Sequence, residues 1–171
     1  EAGLLARQAK ELGIPAPLVG GDGWDSPRLY EIGGQALAGG FFSSHFSADD
    51  PDPQVQRFVE DYRRLFNNAP DAFAATAYDA ARIMLAACGR AASLDRAAIR
   101  AALAETKDFY GVTGTVTFNS ERNAVKPIVI IRIGDAGRQS VEAHITPADI
   151  APPATPTPSP TPQKRRRRRA S

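Results

Sequence analysis

Side chains that commonly carry catalysis are scarce in this sequence. Its 171 residues include one cysteine and two histidines. A single cysteine excludes an internal disulfide framework and a zinc site built on several thiolates. The sequence also lacks a G-x-S-x-G elbow, an H-E-x-x-H pair and a phosphate loop ending in Gly-Lys-Ser/Thr. We therefore expect no enzyme activity, no metal site and no cofactor.

The few reactive side chains lie in patterns that indicate structural roles. His45 and His144 each lie in a strand pattern, and for His45 we favour a hydrogen-bonded structural role over catalysis. Cys88 lies within an alanine-rich apolar segment that predicts a buried helix. A thiol in such surroundings is typically inert.

Long hydrophobic runs are also missing. No apolar run approaches the roughly 20 residues that a membrane-spanning helix requires. Hydrophobic residues make up 43% and charged residues 23% of the chain. This composition is typical of a globular protein and argues against full disorder, collagen and a coiled coil.

Positive charge is concentrated at one end of the chain. Six of the 21 Lys and Arg residues occupy positions 164–169, which leaves 15 basic against 19 acidic residues, so residues 1–150 carry about −4. Residues 151–162 read APPATPTPSPTP, a proline pattern typical of an extended linker. We predict a domain portion over residues 1–150 and a disordered linker and polybasic tail over residues 151–171.

The polybasic tail raises a separate functional hypothesis. Consecutive cations bind nucleic acid, anionic lipid or an acidic polymer through counterion release. The linker has no aromatic side chain for stacking on bases, which weakens specific single-strand recognition. We favour a solvated terminus over a nucleic-acid-binding module, so nucleic acid is not an expected partner.

Helix and strand patterns alternate through the body. Helices are predicted over residues 2–12 and 27–32 and after the turn at residues 48–53, where the apolar residues from Val55 to Leu65 follow helical spacing. Asp71 is predicted to cap a central, buried helix over residues 72–88, and Asp95 to cap the next helix. Strands are predicted over residues 16–19, 36–46, 115–118, 128–133 and 141–145, the last two forming a hairpin. This order predicts an α/β sandwich with a mostly parallel sheet and an antiparallel edge.

The most informative local sequence is Gly-Gly-Asp-Gly-Trp-Asp at residues 20–25. It follows a predicted strand and precedes a predicted helix, which is where open α/β sheets bind ligands. There Asp22 would accept a hydrogen bond from a ligand ammonium, and Trp24 would wall the site. The alternative is a tight turn in which Asp22 bonds its own backbone. From this motif alone we favour the turn.

Aromatic residues on the predicted buried helix are ordinarily core residues. Phe73 begins that helix, and core packing is its default role. Tyr78 is interpreted as a buried phenol, and Asp79 as part of a polar stripe with Thr76 and Arg82.

The ordered set of motifs resembles a known family. The segments are ARQAKELGIPAP, GGDGW, GGFFSSHFSADDPDPQVQRFVEDYRRLF, PDAFAATAYDAARIMLAA and FYGVTGTVTF. They cover about residues 2–135 and resemble the C-terminal half of the branched-chain amino acid type of periplasmic binding protein. This is the type I bilobed solute receptor of ABC transporters.

The resemblance implies a fold and a site. It implies a three-layer α/β sandwich of the type I periplasmic binding protein kind, present here as a fragment. Asp22 matches an acidic position that often accepts the α-ammonium of the ligand, although Asp reaches less far than Glu. Phe73 matches an aromatic that lines the cleft from the other lobe, and Trp24 lies beside the acidic position. The chain is expected to cross between lobes near residues 46–49 and again after Phe118.

The resemblance also implies a function and its alternatives. It implies the substrate-binding component of an ABC transporter for amino acids, periplasmic or extracellular, with a membrane permease as its partner. A ligand-sensing regulatory receptor of the same fold is the alternative. Because the other half of the cleft is expected outside this sequence, we expect exposed apolar faces and no useful amino acid affinity for these residues alone.

Overall fold

The structure is a computed structural model that describes residues 1–150. The predicted linker and polybasic tail, residues 151–171, lie outside this range. Five helices are described, each with the bounds that follow: α1 Ala2–Glu11, α2 Pro27–Gly33, α3 Pro53–Phe66, α4 Ala72–Arg90 and α5 Arg96–Ala104. Seven strands are described: β1 Val19–Gly20, β2 Phe41–Ser44, β3 Phe109–Gly111, β4 Gly114–Phe118, β5 Ala124–Val125, β6 Ile128–Ile133 and β7 Gln139–Ile145.

The first group of elements, here called the sheet lobe, comprises residues 1–44 and 128–150. Its four-stranded sheet has the order β1-β2-β6-β7. β1 and β2 are parallel, whereas β6 is antiparallel to both β2 and β7. The prediction of a mostly parallel sheet is therefore wrong for the described residues. The cause is the hairpin β6–β7, which re-enters the sheet from the opposite direction after the long excursion through α3, α4 and α5.

Alternation along β6 creates the core of the sheet lobe. Val129, Ile131 and Ile133 point to one face and are buried against α1 and α2. Phe42 and Leu37 complete this core and are about 1% exposed. The predicted helices over residues 2–12 and 27–32 and the predicted hairpin are confirmed. In α1 the buried residues are Gly3 and Ala6, whereas Leu4, Leu5 and Leu12 are exposed.

The second group, here called the helical lobe, comprises residues 46–125. It contains α3, α4, α5 and a three-stranded antiparallel sheet in the order β3-β4-β5. In its core the Phe58 ring packs 5.8 Å from that of Phe46, with Val55, Val59 and Val112 around them. The Tyr78 ring lies 4.8 Å from Phe58 but is 43% exposed, so the prediction of a buried phenol is wrong for the described residues. Asp52, Asp71 and Asp95 cap the N-termini of α3, α4 and α5 through backbone N–H groups.

The chain crosses between the lobes twice. It leaves the sheet lobe after Ser44 and enters the helical-lobe core at Phe46. It returns between Val125 and Ile128. Both crossings lie where the sequence resemblance implies them.

Three elements differ from the sequence predictions. The strand predicted over residues 16–19 is present only at Val19–Gly20. Helix α4 is not a central buried helix, because Leu85 is 71% exposed. Its buried residues form one narrow face: Ala72, Ala75, Asp79, Ile83 and Ala87. The strand predicted over residues 36–46 begins only at Phe41, after a 3-10 turn over Gly34–Leu37. The exposed apolar face of α4 agrees with the expectation of unpartnered helix faces.

Candidate functional site

The glycine-rich turn at the end of β1 forms one 3-10 turn, Asp22–Trp24. Its conformation depends on Gly20, because a Cβ atom at that position would overlap the indole of Trp24. The Trp24 ring therefore lies directly on the Gly20 backbone and packs, partly buried, against the core of the sheet lobe. This contact fixes the indole and gives it a packing role.

Asp22 presents its carboxylate to solvent beside the first crossing. Its side chain is 62% exposed, and its Oδ2 lies 3.8 Å from Nε2 of His45. Burial lowers the pKa of His45, the nearby Lys126 ammonium lowers it further, and the Asp22 carboxylate opposes both effects. At neutral pH His45 is therefore mainly uncharged, and the Asp22 carboxylate remains available to an external cation.

Lys126 lies on the second crossing, close to the first. Burial lowers its pKa to about 8, and the charge of Asp79 opposes this shift. Its Nζ and the Nδ1 of His45 are buried and have no hydrogen-bond partner in the described part of the chain. The two crossings thus place two nitrogens in poorly solvated surroundings, which disfavours charge on both.

Asp25 lies at the contact between the lobes. Burial raises its pKa and the charge of Asp71, from the helical lobe, raises it further, while the backbone N–H of Ala72 opposes the change. A cavity of about 540 Å³ opens here, with Asp25, Tyr30 and Gln139 on one side and Asp71 on the other. Gln139 donates a hydrogen bond to the Tyr30 hydroxyl at 2.9 Å. The cavity therefore has two carboxylates, Asp25 and Asp71, in a lining that also contains Phe46 and Pro70.

A smaller cavity of about 210 Å³ lies between the two crossings. Nε2 of His144, on β7, is 3.7 Å from Oδ2 of Asp50 in the helical lobe. Near them the Tyr110 hydroxyl donates to the Asp52 carboxylate, and this bond raises the pKa of Tyr110 and lowers that of Asp52. Of these contacts, the one between His144 and Asp50 joins the two lobes, whereas Tyr110 and Asp52 both belong to the helical lobe.

Asp79 has a role that the sequence did not reveal. It is 3% exposed and accepts hydrogen bonds from the backbone N–H groups of Val112 and Thr113 at 2.9 and 2.8 Å. The Thr113 hydroxyl donates a third bond at 2.8 Å. The Gly-Val-Thr-Gly sequence at residues 111–114 was a possible signal, because a tight turn leaves backbone donors that need an acceptor.

The predicted site residues are distributed over two lobes. Asp22 and Trp24 share one turn of the sheet lobe, and Phe73 lies in the first turn of α4, 66% exposed. The interpretation of Phe73 as a core residue is therefore wrong for the described residues. None of the three lines the 540 Å³ or the 210 Å³ cavity. The interactions between the lobes described above involve other residues, Asp25 near Asp71 and His144 near Asp50.

The described residues define limits on other kinds of site. Across residues 1–150, no group of three or more His, Cys, Asp or Glu side chains is arranged to hold a metal ion. None of the helices in that range is both long and apolar enough to span a bilayer. Cys88 is half-buried on α4.

Two α/β lobes joined by crossing segments, with a carboxylate on the turn after a parallel strand, define the class of bilobed solute-binding proteins. A family model described as periplasmic binding protein matches residues 1–138. The chain belongs to this family. The fold class expected from the sequence is thereby confirmed.

Individual relatives agree with the family assignment. The chain is 32% identical over 120 residues to the Leu/Ile/Val-binding protein BraC3 of Rhizobium johnstonii, covering 69% of this chain and 32% of the relative. It is 30% identical over 139 residues to Leu/Ile/Val-binding protein homolog 3 of Brucella melitensis, covering 81% of this chain and 37% of the relative.

Solved structures show the same relationship. The leucine-binding protein LivK of Thermotoga maritima matches with a TM-score of 0.79 and 35% identity, over 87% of this chain and 43% of that one. The substrate-binding protein LivJ of Streptococcus pneumoniae, in complex with isoleucine, matches with a TM-score of 0.68 and 33% identity, over 84% of this chain and 40% of that one.

The chain spans about a third of the length of the curated relatives it matches. These relatives are binding proteins, so the prediction that the chain is not an enzyme agrees with its family.

Proposed function

We propose that these residues supply one side of an interlobe cleft that binds an amino acid noncovalently, as part of the substrate-binding component of an ABC transporter. The ligand would be a branched-chain amino acid or a related small amphiphilic solute. Asp22 would accept the ligand ammonium, and Trp24 and Phe73 would contact its apolar part. A membrane permease would be the partner, and the location would be periplasmic or extracellular.

The observation that carries this proposal is the exposed carboxylate of Asp22 on the turn after β1. It is 62% exposed, and its nearest basic neighbour, His45, has a lowered pKa. A carboxylate without a permanent cationic partner is suited to a charge-assisted hydrogen bond with an ammonium group. The Leu/Ile/Val-binding names of the relatives support an amino acid as the ligand.

Phe73 supports the same arrangement from the other lobe. It is a large aromatic side chain that is 66% exposed at the start of α4. An exposed aromatic near the contact between two lobes is suited to cover the apolar part of a ligand when the lobes close. Trp24, fixed on Gly20, would act as a rigid wall.

The experiment compares this chain with a bilobed chimera. In the chimera, the part of the domain that the chain does not span comes from the Thermotoga relative. We expect calorimetry to detect leucine or isoleucine binding by the chimera and no micromolar binding by the 171-residue chain alone. Micromolar binding by the chain alone would show that one side of the cleft is sufficient and would contradict this arrangement.

Variants of the chimera test the residue roles. Asp22→Asn removes the charge with little change in shape and should weaken binding by about tenfold or more. Asp61→Asn on α3 is the matched control, because Asp61 pairs with Arg64 on the helix surface. Equal affinities for the two variants would remove Asp22 from the proposed site. Phe73→Ala should weaken leucine binding more than alanine binding, since it removes apolar contact.

A further inference from the structure

A groove in the helical lobe lies apart from the proposed cleft. It runs between the C-terminal half of α5 and the loop that joins β4 to β5, and its volume is about 500 Å³. This volume lies within the range of small-molecule sites in proteins. It shares no residue with the turn at Asp22 or with the 540 Å³ cavity between the lobes.

Three cations border this groove: Arg100, Lys107 and Arg122. Within residues 1–150, none of these side chains forms a hydrogen bond or an ion pair, which is also true of other exposed arginines such as Arg57 and Arg63. What distinguishes the three is that they border one groove. They are set in a body whose net charge is about −4, because 15 basic residues face 19 acidic ones once positions 164–169 are set aside. The groove is therefore a local basic surface on an acidic domain portion.

The dipole of helix α5 does not explain why these cations lie near its C-terminus. The carbonyl end of α5 is already occupied by Arg90, whose guanidinium donates to the Ala102 carbonyl at 3.1 Å and to the Thr106 hydroxyl at 3.2 Å. Arg90 thus supplies the favourable charge that the C-terminus of a helix attracts. Arg100 and Lys107 remain directed to the groove.

The loop holds Arg122 in an uncommon conformation. Its φ of 68° lies in the left-handed region, which side chains other than glycine rarely adopt. The Oδ1 of Asn119 accepts the backbone N–H groups of Glu121 and Asn123 at 3.0 and 2.9 Å, and the Asn119 carbonyl accepts the N–H of Arg122. The loop therefore presents Arg122 from a fixed backbone, which lowers the entropic cost of binding.

The floor of the groove is apolar. Leu103 of α5 and Phe118 of β4 are half-buried and line it between the cations. An aromatic floor with cations at its rim is complementary to a molecule that has an apolar body and one anionic group. The polybasic tail at positions 164–169 has the wrong charge to occupy it.

We propose that this groove binds a small amphiphilic anion, an apolar or aromatic body with a single carboxylate, as a second ligand site separate from the interlobe cleft. The body would lie on Leu103 and Phe118, and the carboxylate would be bound by Arg122 with Lys107 or Arg100. Acidic polypeptide is the alternative occupant, and the volume of the groove favours the small molecule.

The test uses the full 171-residue chain and three probes: phenylpropionate, its neutral amide and acetate. Amide chemical shifts should change at the groove on addition of phenylpropionate, and the neutral amide and acetate should bind at least about tenfold more weakly. The triple variant Arg100→Gln, Lys107→Gln, Arg122→Gln should weaken phenylpropionate binding by about tenfold or more. All three side chains are exposed, so the fold should be retained.

The matched control is Arg57→Gln, Arg63→Gln, Arg64→Gln on α3, which removes the same charge from another exposed surface and leaves the tail intact. It should bind phenylpropionate within about twofold of the unmodified chain. Equal loss in both triple variants, equal binding of the neutral amide, or shifts confined to other residues would overturn the proposal. Binding of polyglutamate in the absence of phenylpropionate binding would also overturn it, in favour of the polypeptide.

Discussion

The carboxylate of Asp79, buried on α4, accepts the backbone N–H of Thr113 at 2.8 Å and the hydroxyl of the same residue at 2.8 Å. The other carboxylate oxygen accepts the N–H of Val112. Gly111 is needed beside this contact, because a Cβ atom there would overlap the carboxylate. One side chain of α4 thus holds the turn between β3 and β4 in place.

We expect Asp79→Ala to destabilise the helical lobe by about 2–4 kcal/mol, because two buried N–H groups lose their acceptor. Urea unfolding followed by circular dichroism measures this. Thr113→Val removes only the hydroxyl and should cost about 1 kcal/mol. If Asp79→Ala lowers the free energy of unfolding no more than Thr113→Val does, the hydrogen bonds from the backbone N–H groups contribute little.

A second prediction concerns the contact between Gly20 and Trp24. Gly20→Ala should displace the indole, because the new Cβ would overlap the ring. The sequence has one tryptophan, so its fluorescence reports this site directly and should shift to longer wavelength as the ring becomes more exposed. Gly21→Ala is the control, since a Cβ there would meet nothing within 4 Å. Identical spectra for the two variants would contradict the contact.

The sequence predicted elements whose pattern is local. The strand over residues 128–133 and the caps Asp71 and Asp95 require only near neighbours, and they occur as predicted. The burial of α4 was not predictable in the same way. Its apolar composition indicates a partner on most sides, but the chain spans about a third of its relatives, and Leu85 is exposed.

The same distinction between local and long-range features applies to the candidate site. The turn at Asp22 was recognisable, because glycines and a carboxylate after a strand form a local motif. The electrostatic interactions of Asp25 with Asp71 and of Lys126 with His45 were not recognisable, because each joins residues more than 40 positions apart in the chain. Long-range pairs of this kind depend on how the two crossings are placed.

A third prediction follows from Lys126, whose pKa is lowered from 10.5 to about 8 by burial. Between these pH values the folded chain binds fewer protons than the unfolded chain, so stability should rise as the pH increases from about 8 to 10.5. The rise should be on the order of 1–2 kcal/mol, because the side chain remains partly exposed. Lys126→Met should abolish it, whereas Lys107→Met, at an exposed position, should leave it unchanged. A rise that persists in Lys126→Met would assign it to other groups.

A fourth prediction concerns two opposite charges, on Asp22 and Lys126, that change the pKa of His45. The Asp22 carboxylate raises the pKa of His45, while burial and Lys126 lower it. Asp22→Asn should therefore lower this pKa further, and Lys126→Met should raise it. An NMR titration of the two imidazoles measures both effects, with His144 as the internal reference. Shifts of the same sign in both variants would contradict the placement of the two charges on either side of His45.

The last prediction concerns the exposed apolar side chains of α4. Phe73, Met84 and Leu85 are 66%, 44% and 71% exposed, although they belong to a helix with few polar residues. An apolar helix face of this kind favours self-association in water. We expect the 171-residue chain to sediment as oligomers at micromolar concentration. The double variant Met84→Ser, Leu85→Ser should lower the association constant by about tenfold and so favour the monomer. Leu94→Ser is the control, because Leu94 is 76% exposed but lies outside α4. If the unmodified chain is monomeric and melts in a single cooperative transition, the exposed face of α4 needs no partner. A hydrophobic surface that stays solvated at these concentrations does not drive association.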